Sequence, residues 1–171
     1  MHSIRSRCRP GARALAVVFL LAAPAGASAQ GTTGSDSAAV VAVVQRLFDA
    51  MATRDTIAAR ALLLPGARIV SIRPGATATV PRVQSDTAFV RSLAAAREAL
   101  LERMWNPLVR VHGGLAELWT PYDFHLGGRF SHCGVDSFTL VRGPSGWLIA
   151  NIAYTVEPTG CAPSPLGPPK G

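Results

Sequence analysis

His132 and the carboxylates of Asp123 and Glu157 are the residue types from which a general base is built, an imidazole oriented and charged by neighbouring acids. They are distant in the chain and meet only if the last third folds as successive hairpins. The punctuation for that is present. Gly113-Gly114, Gly127-Gly128 and Gly143-Pro144-Ser145-Gly146 separate runs of strand-forming residues, and paired glycines supply the positive φ that tight hairpin turns require. Counting outward from two-residue turns sets His112 opposite Leu115, Arg110 opposite Glu117, Arg129 opposite Leu126 and His132 opposite Asp123. Around Pro144-Ser145 the same count sets Asp136 opposite Ala153 and His132 opposite Glu157.

Side chains alternate across a strand, so this register writes out two faces. One carries Ala116, Leu118, Thr120, Tyr122, Phe124, Cys133, Val135, Ser137, Thr139, Val141, Leu148, Ala150, Ile152, Tyr154 and Val156, with no formal charge. It is expected to pack against helices and to line any pocket, where Thr120, Tyr122, Ser137, Thr139 and Tyr154 are the candidate ligand-binding hydroxyls. The other carries Arg110, Glu117, Trp119, Asp123, His125, His132, Asp136, Phe138, Trp147, Ile149, Asn151, Thr155 and Glu157 and is expected to face outward. Its large apolar members Trp119, Phe138, Trp147 and Ile149 predict an association surface, and with it a homodimer through the sheet face. On this register His132, Asp123 and Asp136 point away from the pocket. His132 and Asp123 therefore read first, with Glu157, as a cross-strand charge cluster and Asp136 as an exposed or interface residue, and all three only in the alternative as catalytic groups. A single bulge would exchange the faces beyond it, and Pro107 and Pro121 are the candidate positions.

Other chemistries have less support. His112, His125 and His132 fall on three strands without HExxH or comparable spacing, so no metal site is expected. Neither a phosphate-binding glycine loop nor a GxSxG elbow is present, and no cofactor is expected. Trp105, Trp119 and Trp147 read as core or interface anchors.

The elements that must hold these residues precede them. Asp36 is expected to cap a helix whose Val40, Val41, Val44, Leu47, Phe48 and Met51 recur at helical spacing. Asp55 caps a short second helix through Leu64, which Pro65-Gly66 ends. Ala67 to Ile72 reads as a strand, Pro74-Gly75 as a turn and Ala76 to Val83 as a weaker returning strand. Ser85 caps a third helix carrying Phe89, Val90 and Leu93. Leu101 to His112 follows as extended chain interrupted at Asn106-Pro107, which marks a bulge or an edge.

The ends bound the setting. Arg5, Arg7, Arg9 and Arg13, the apolar run Ala14 to Ala23 and Ala27-Ser28-Ala29 read as an export leader over residues 1–29, which implies a periplasmic or secreted protein. The apolar run is about half the roughly 20 residues that span a bilayer, so no stable membrane anchor is expected. Without the leader's four arginines the net charge falls from +7 to +3, and the remaining arginines are scattered, which argues against nucleic-acid binding. Residues 30–171 number 142, enough for one domain with a core. Cys133 and Cys161 are the two cysteines left after the leader and are expected to pair in an oxidising compartment. The chain divides into the leader, a polar lead-in over 30–35, a domain over 36–157 and a Pro/Gly-rich tail over 158–171, expected to lack order beyond Cys161.

Over residues 36–157 the chain resembles the nuclear transport factor 2-like superfamily, through G-V-D-S-F-T-L-V at Gly134 to Val141, G-W-L-I at Gly146 to Ile149 and A-Y-T at Ala153 to Thr155. Within it the likeness is to exported relatives of the lumazine-binding-like group. The resemblance implies an α+β fold, a curved antiparallel sheet forming a cone against about three N-terminal helices, and association through the sheet. It also invites comparison of Asp136 with the buried carboxylic acid of ketosteroid isomerases, a role that requires burial to raise its pKa. No catalytic set transfers residue by residue. The first expectation is accordingly an exported domain that binds a small apolar molecule or a protein without catalysis; the alternative is a lyase or isomerase working by acid-base chemistry through His132, Asp123 or Asp136. An ionisable group inside the concave pocket would favour the enzyme.

Overall fold

The computed structural model describes residues 29–75 and 77–169. The leader expected over residues 1–29 lies outside them except for Ala29. Three helices pack into the hollow of one curved seven-stranded sheet, the α+β cone expected from the resemblance.

Helix α1 (Ala29–Thr53) begins earlier than Asp36, so that residue caps nothing; its carboxylate instead pairs with Arg142, tying the helix to the last hairpin. The stripe Val40, Val44, Leu47, Phe48 and Met51 is buried, as its period requires. Asp55 caps α2 (Thr56–Leu62) by accepting from the Ile57 and Ala58 amides. Pro65-Gly66 does not separate helix from strand. β1 (Leu63–Arg73) starts directly after α2 and runs through that pair, where its register against the neighbouring strand shifts between Leu63 and Arg68. β2 (Val80–Ser85) returns along β1, and Ser85 caps α3 (Asp86–Ala95) through the Ala88 amide.

β3 (Leu100–Met104) and β4 (Leu108–His112) are separated by Asn106, which takes a positive φ of 47°. Both pair with the same edge of the long β5 (Leu115–Leu126), β4 along its first half and β3 along its second. β6 (Arg129–Gly143) and β7 (Gly146–Thr155) complete the sheet in the order β2-β1-β7-β6-β5-β3. The sheet is mixed, not wholly antiparallel, because β1 and β7 run parallel.

The turns pair as the sequence predicts, with Leu126 opposite Arg129 and Gly143 opposite Gly146. Beyond them two bulges intervene. One extra residue, Ser131, enters β6 between the His125–Phe130 and Phe124–His132 pairs, and a second irregularity falls in β7 between Asn151 and Ile149. His132 therefore faces Phe124 and not Asp123, and Asp136 faces Tyr154 and not Ala153. The expected faces of β6 are exchanged. Asp136, Phe138 and Leu140 turn into the core, while Cys133, Val135, Ser137 and Thr139 turn outward. Trp147 and Ile149 are core residues too, so of the expected outer apolar patch only Trp119, 53 % exposed, stays on the surface, opposite Leu108. Neither Pro107 nor Pro121 holds the bulge.

Cys133 and Cys161 form the expected disulfide. It fixes the tail, whose residues 162–164 and 167–169 border a cavity on the outer face with Arg103, Trp105, Asp123 and His125. Among the described residues no helix is long and apolar enough to cross a membrane.

Candidate functional site

Inside the cone a cavity of about 200 Å³ is left between the sheet and the helices. α1 contributes Leu47, Phe48 and Met51, α3 contributes Phe89, Ser92 and Leu93, and β1 contributes Ile69 and Arg73. The sheet adds Leu100, Glu102, Tyr122, Phe124, His132, Asp136, Phe138, Ile152 and Tyr154. The walls are mostly apolar, with a cluster of ionisable groups on the strand side.

Asp136 is 1 % exposed, and its Oδ2 meets no N–H or O–H donor among the described residues. Its neighbour is Glu102, in hydrogen-bonding contact from β3. Two carboxyls in one apolar pocket cannot both ionise cheaply, since burial and mutual repulsion oppose the second charge. Burial and the neighbouring Glu102 push Asp136 well above the ordinary aspartate range. Burial likewise raises Glu102, but the hydrogen bond from Asp136 offsets part of this and leaves it at about 7. The two carboxyls therefore share a proton, and the raised values belong to the pair.

Two tyrosines flank the pair. Tyr122 donates its hydroxyl to the Thr155 carbonyl at 2.7 Å, reaching across β6 over Gly134, its partner in the ladder. A Cβ on Gly134 would run into that same carbonyl oxygen, so the glycine is what admits the crossing. Tyr154 stands edge-on to Tyr122 with centroids 6.4 Å apart. Burial first, then the Glu102 carboxyl, raise both phenols.

His132 edges the cavity in a setting opposite to the one expected. Its ring stacks on Phe124 at 4.9 Å and meets Tyr122 edge-on at 5.7 Å, while Nδ1 lies 3.0 Å from the Ser131 hydroxyl. Burial, helped by the nearby Arg73 charge, pushes its pKa down to about 4, so the imidazole is neutral at physiological pH. The acids expected to charge it are engaged elsewhere. Glu157 faces Cys133 and accepts from the Thr155 hydroxyl. Asp123 lies on the outer face under the tail, gripped by Arg103 at 2.8 and 2.6 Å and close to His125 at 3.4 Å. Burial acts to raise the Asp123 carboxyl, but the hydrogen bonds and the charge of Arg103 outweigh it and hold the group below the ordinary aspartate value.

Of the expected ligand-binding hydroxyls, Tyr122 and Tyr154 line the cavity. Thr120 is buried behind it, with its hydroxyl 3.0 Å from both the Trp105 and the Pro121 carbonyls. Ser137 and Thr139 lie on the outer face, a consequence of the bulge at Ser131. Of the alternative catalytic residues, His132 and Asp136 come together in the cavity and Asp123 does not. Glu102 was not foreseen. Its signal was available in Leu100-Leu101-Glu102-Arg103-Met104, an alternating strand that sets Glu102 on the face of Leu100 and Met104. Among the described residues no group of three or more His, Cys, Asp or Glu side chains is arranged to hold a metal.

Neither a protein-family model nor a curated protein sequence matches the chain. Solved structures do. A nuclear transport factor 2-like protein with a cystatin-like fold from Novosphingobium aromaticivorans superposes with a TM-score of 0.61 at 15 % identity, over 83 % of this chain and 94 % of that one. A candidate dehydratase of the nuclear transport factor 2-like family from Streptomyces avermitilis does so with a TM-score of 0.59 at 20 % identity, over 72 % of this chain and 96 % of its own. A nuclear transport factor 2-like superfamily protein from Salmonella enterica aligns with a TM-score of 0.58 at 13 % identity, over 75 % and 96 % of the two chains. These likenesses establish the fold.

Proposed function

We propose that the protein is an acid-base enzyme, a lyase or isomerase, that moves a proton on a small and largely apolar molecule held inside the cone. The carrying observation is the Glu102–Asp136 pair in an apolar cavity. A base is most effective when its pKa lies near the working pH, and two coupled carboxyls with separated pKa values divide the roles of base and acid between them. Glu102 takes a proton from a substrate carbon. The Asp136 acid hydrogen-bonds the Glu102 carboxylate before the transfer and keeps the pair at a single negative charge. His132, neutral at the edge of the cavity, brings no full positive charge into the pocket. The volume favours a single ring or a short chain, since an apolar cavity of about 150 Å³ suffices for benzene. The candidate dehydratase among the structural neighbours is compatible with this chemistry.

Ring opening of a nitrobenzisoxazole, which requires only proton abstraction from carbon by a placed carboxylate, tests the reading. The expected result is a rate above buffer that rises with an apparent pKa near 7 and falls at least about a hundredfold in Glu102→Gln, the size of a lost general base. A profile without that limb, together with a Glu102 carboxyl carbon that titrates at an ordinary glutamate value by NMR, returns the protein to the non-catalytic binding domain. Export and association of two copies through the surface around Trp119 belong to the same proposal. Trp119→Asp is then expected to give a monomer in light scattering.

A further inference from the structure

Arg73 ends β1 at the mouth of the cavity and has no acidic partner. All ten acidic residues of the chain are among those described, and the ion pairs they form, Arg103–Asp123, His125–Asp123, Arg129–Glu98 and Arg142–Asp36, leave it out. Its charge acts to lower the pKa values of His132, Tyr122 and Tyr154.

Its location is specific. Arg73 and His132 line both the inner cavity and a shallower outer depression of about 230 Å³, bounded also by Ser131, Pro74, Val156 and Pro158. These two side chains form the threshold between the spaces. Ser131 supports the second of them, its hydroxyl lying 3.0 Å from Nδ1. When that hydroxyl donates to Nδ1, the neutral ring carries its proton on Nε2 and remains a donor. A guanidinium without a partner beside a neutral imidazole donor suits a planar anion, because guanidinium and carboxylate match as a two-point fork.

We infer that Arg73 and His132 are the anchor for a carboxylate, so that the molecule taken into the cone is a small monocarboxylate whose apolar body extends inward toward Glu102 and Asp136. This rests on the acid-base reading of the same pocket and adds its specificity. An anion held at the threshold is kept on the solvent side, away from the Glu102 carboxylate, while the apolar walls receive the body. A neutral molecule of equal size would leave Arg73 unused.

The experiment compares benzoate with benzamide, two planar molecules of nearly equal size, by NMR titration of the full chain at a pH below the Glu102 transition. Benzoate is expected to bind at least about tenfold more tightly, and Arg73→Gln to abolish that preference. Arg73→Lys, which retains the charge, is expected to keep a preference of the same sign. Arg73 is exposed at a strand end, so these variants are expected to fold. Equal affinities in the wild type, no benzoate binding at all, or a preference that survives Arg73→Gln would each overturn the inference. None of those outcomes touches the acid-base pair, which is read independently from the titration of Glu102.

Discussion

Glu102 is the residue whose charge state governs the pocket, and its effect on stability has a definite sign. Its folded pKa, about 7, lies above the ordinary glutamate value of 4.5, so the folded chain holds a proton that the unfolded chain releases. The contribution is fully present below pH 4.5 and is lost as pH rises through about 7. Glu102→Gln removes the linkage. Denaturant unfolding should therefore show the variant gaining on the wild type between those limits, by roughly 1–3 kcal/mol, and levelling above them. Tyr122 behaves differently from a ligand-binding hydroxyl, because its proton is already given to the Thr155 carbonyl. Tyr122→Phe is expected to lower stability by about 0.5–1.5 kcal/mol while leaving benzamide binding within a factor of about two. Equal stability with weakened binding would reverse that assignment.

The elements themselves were largely legible in the sequence. Asp55 and Ser85 cap the helices predicted for them, and the glycine pairs fix the turns. What escaped was one residue of β6. Ser131 carries no glycine or proline to mark a bulge, yet it reverses which of Ser137 and Phe138 faces the core. The mark of the slip was in the predicted outer face, which held Phe138, Trp147 and Ile149 while small hydroxyls filled the inner one. Large apolar side chains belong inside, and their excess outside should count against a register before it counts for an interface. Glu102 escaped for another reason. β3 meets β5 only after β4 has intervened in the chain, and no tight turn joins the two from which a register could be counted. Paired substitutions test the corrected faces. Phe138→Asp, which buries an unpaired charge and empties a core site 1 % exposed, should cost more than the roughly 3–5 kcal/mol of a Phe truncation. Ser137→Asp, on the outer face, should leave the thermal midpoint within a few degrees; the uncorrected register demands the reverse order.

At the scale of the molecule, two closures hold the chain. The disulfide joins Cys133 to Cys161 over 28 residues and anchors the tail beside the outer face, so its loss should cost about 2–4 kcal/mol in the unfolding free energy of Cys161→Ser. Titration of denatured, unreduced protein lacking the leader should find no free thiol. The other closure is the parallel pairing of β1 with β7, which seats the last strand of the domain between the first and the sixth. That seat sets an order of events. While a chain is still growing, β1 and β2 form only a two-stranded ribbon, and the other wall of the cone has nothing to join it until residues 146–155 are available. Pairing across so long a loop is slow, and it makes assembly nearly all-or-none with respect to the C-terminus. A chain stopped at Gly143 would lack the strand that carries Ile149, Ile152 and Tyr154, leaving α1 against an open half-sheet. A chain ending at Gly143 is thus expected to be cut readily by proteases, and the full chain to resist them, a contrast that limited proteolysis of the two would check.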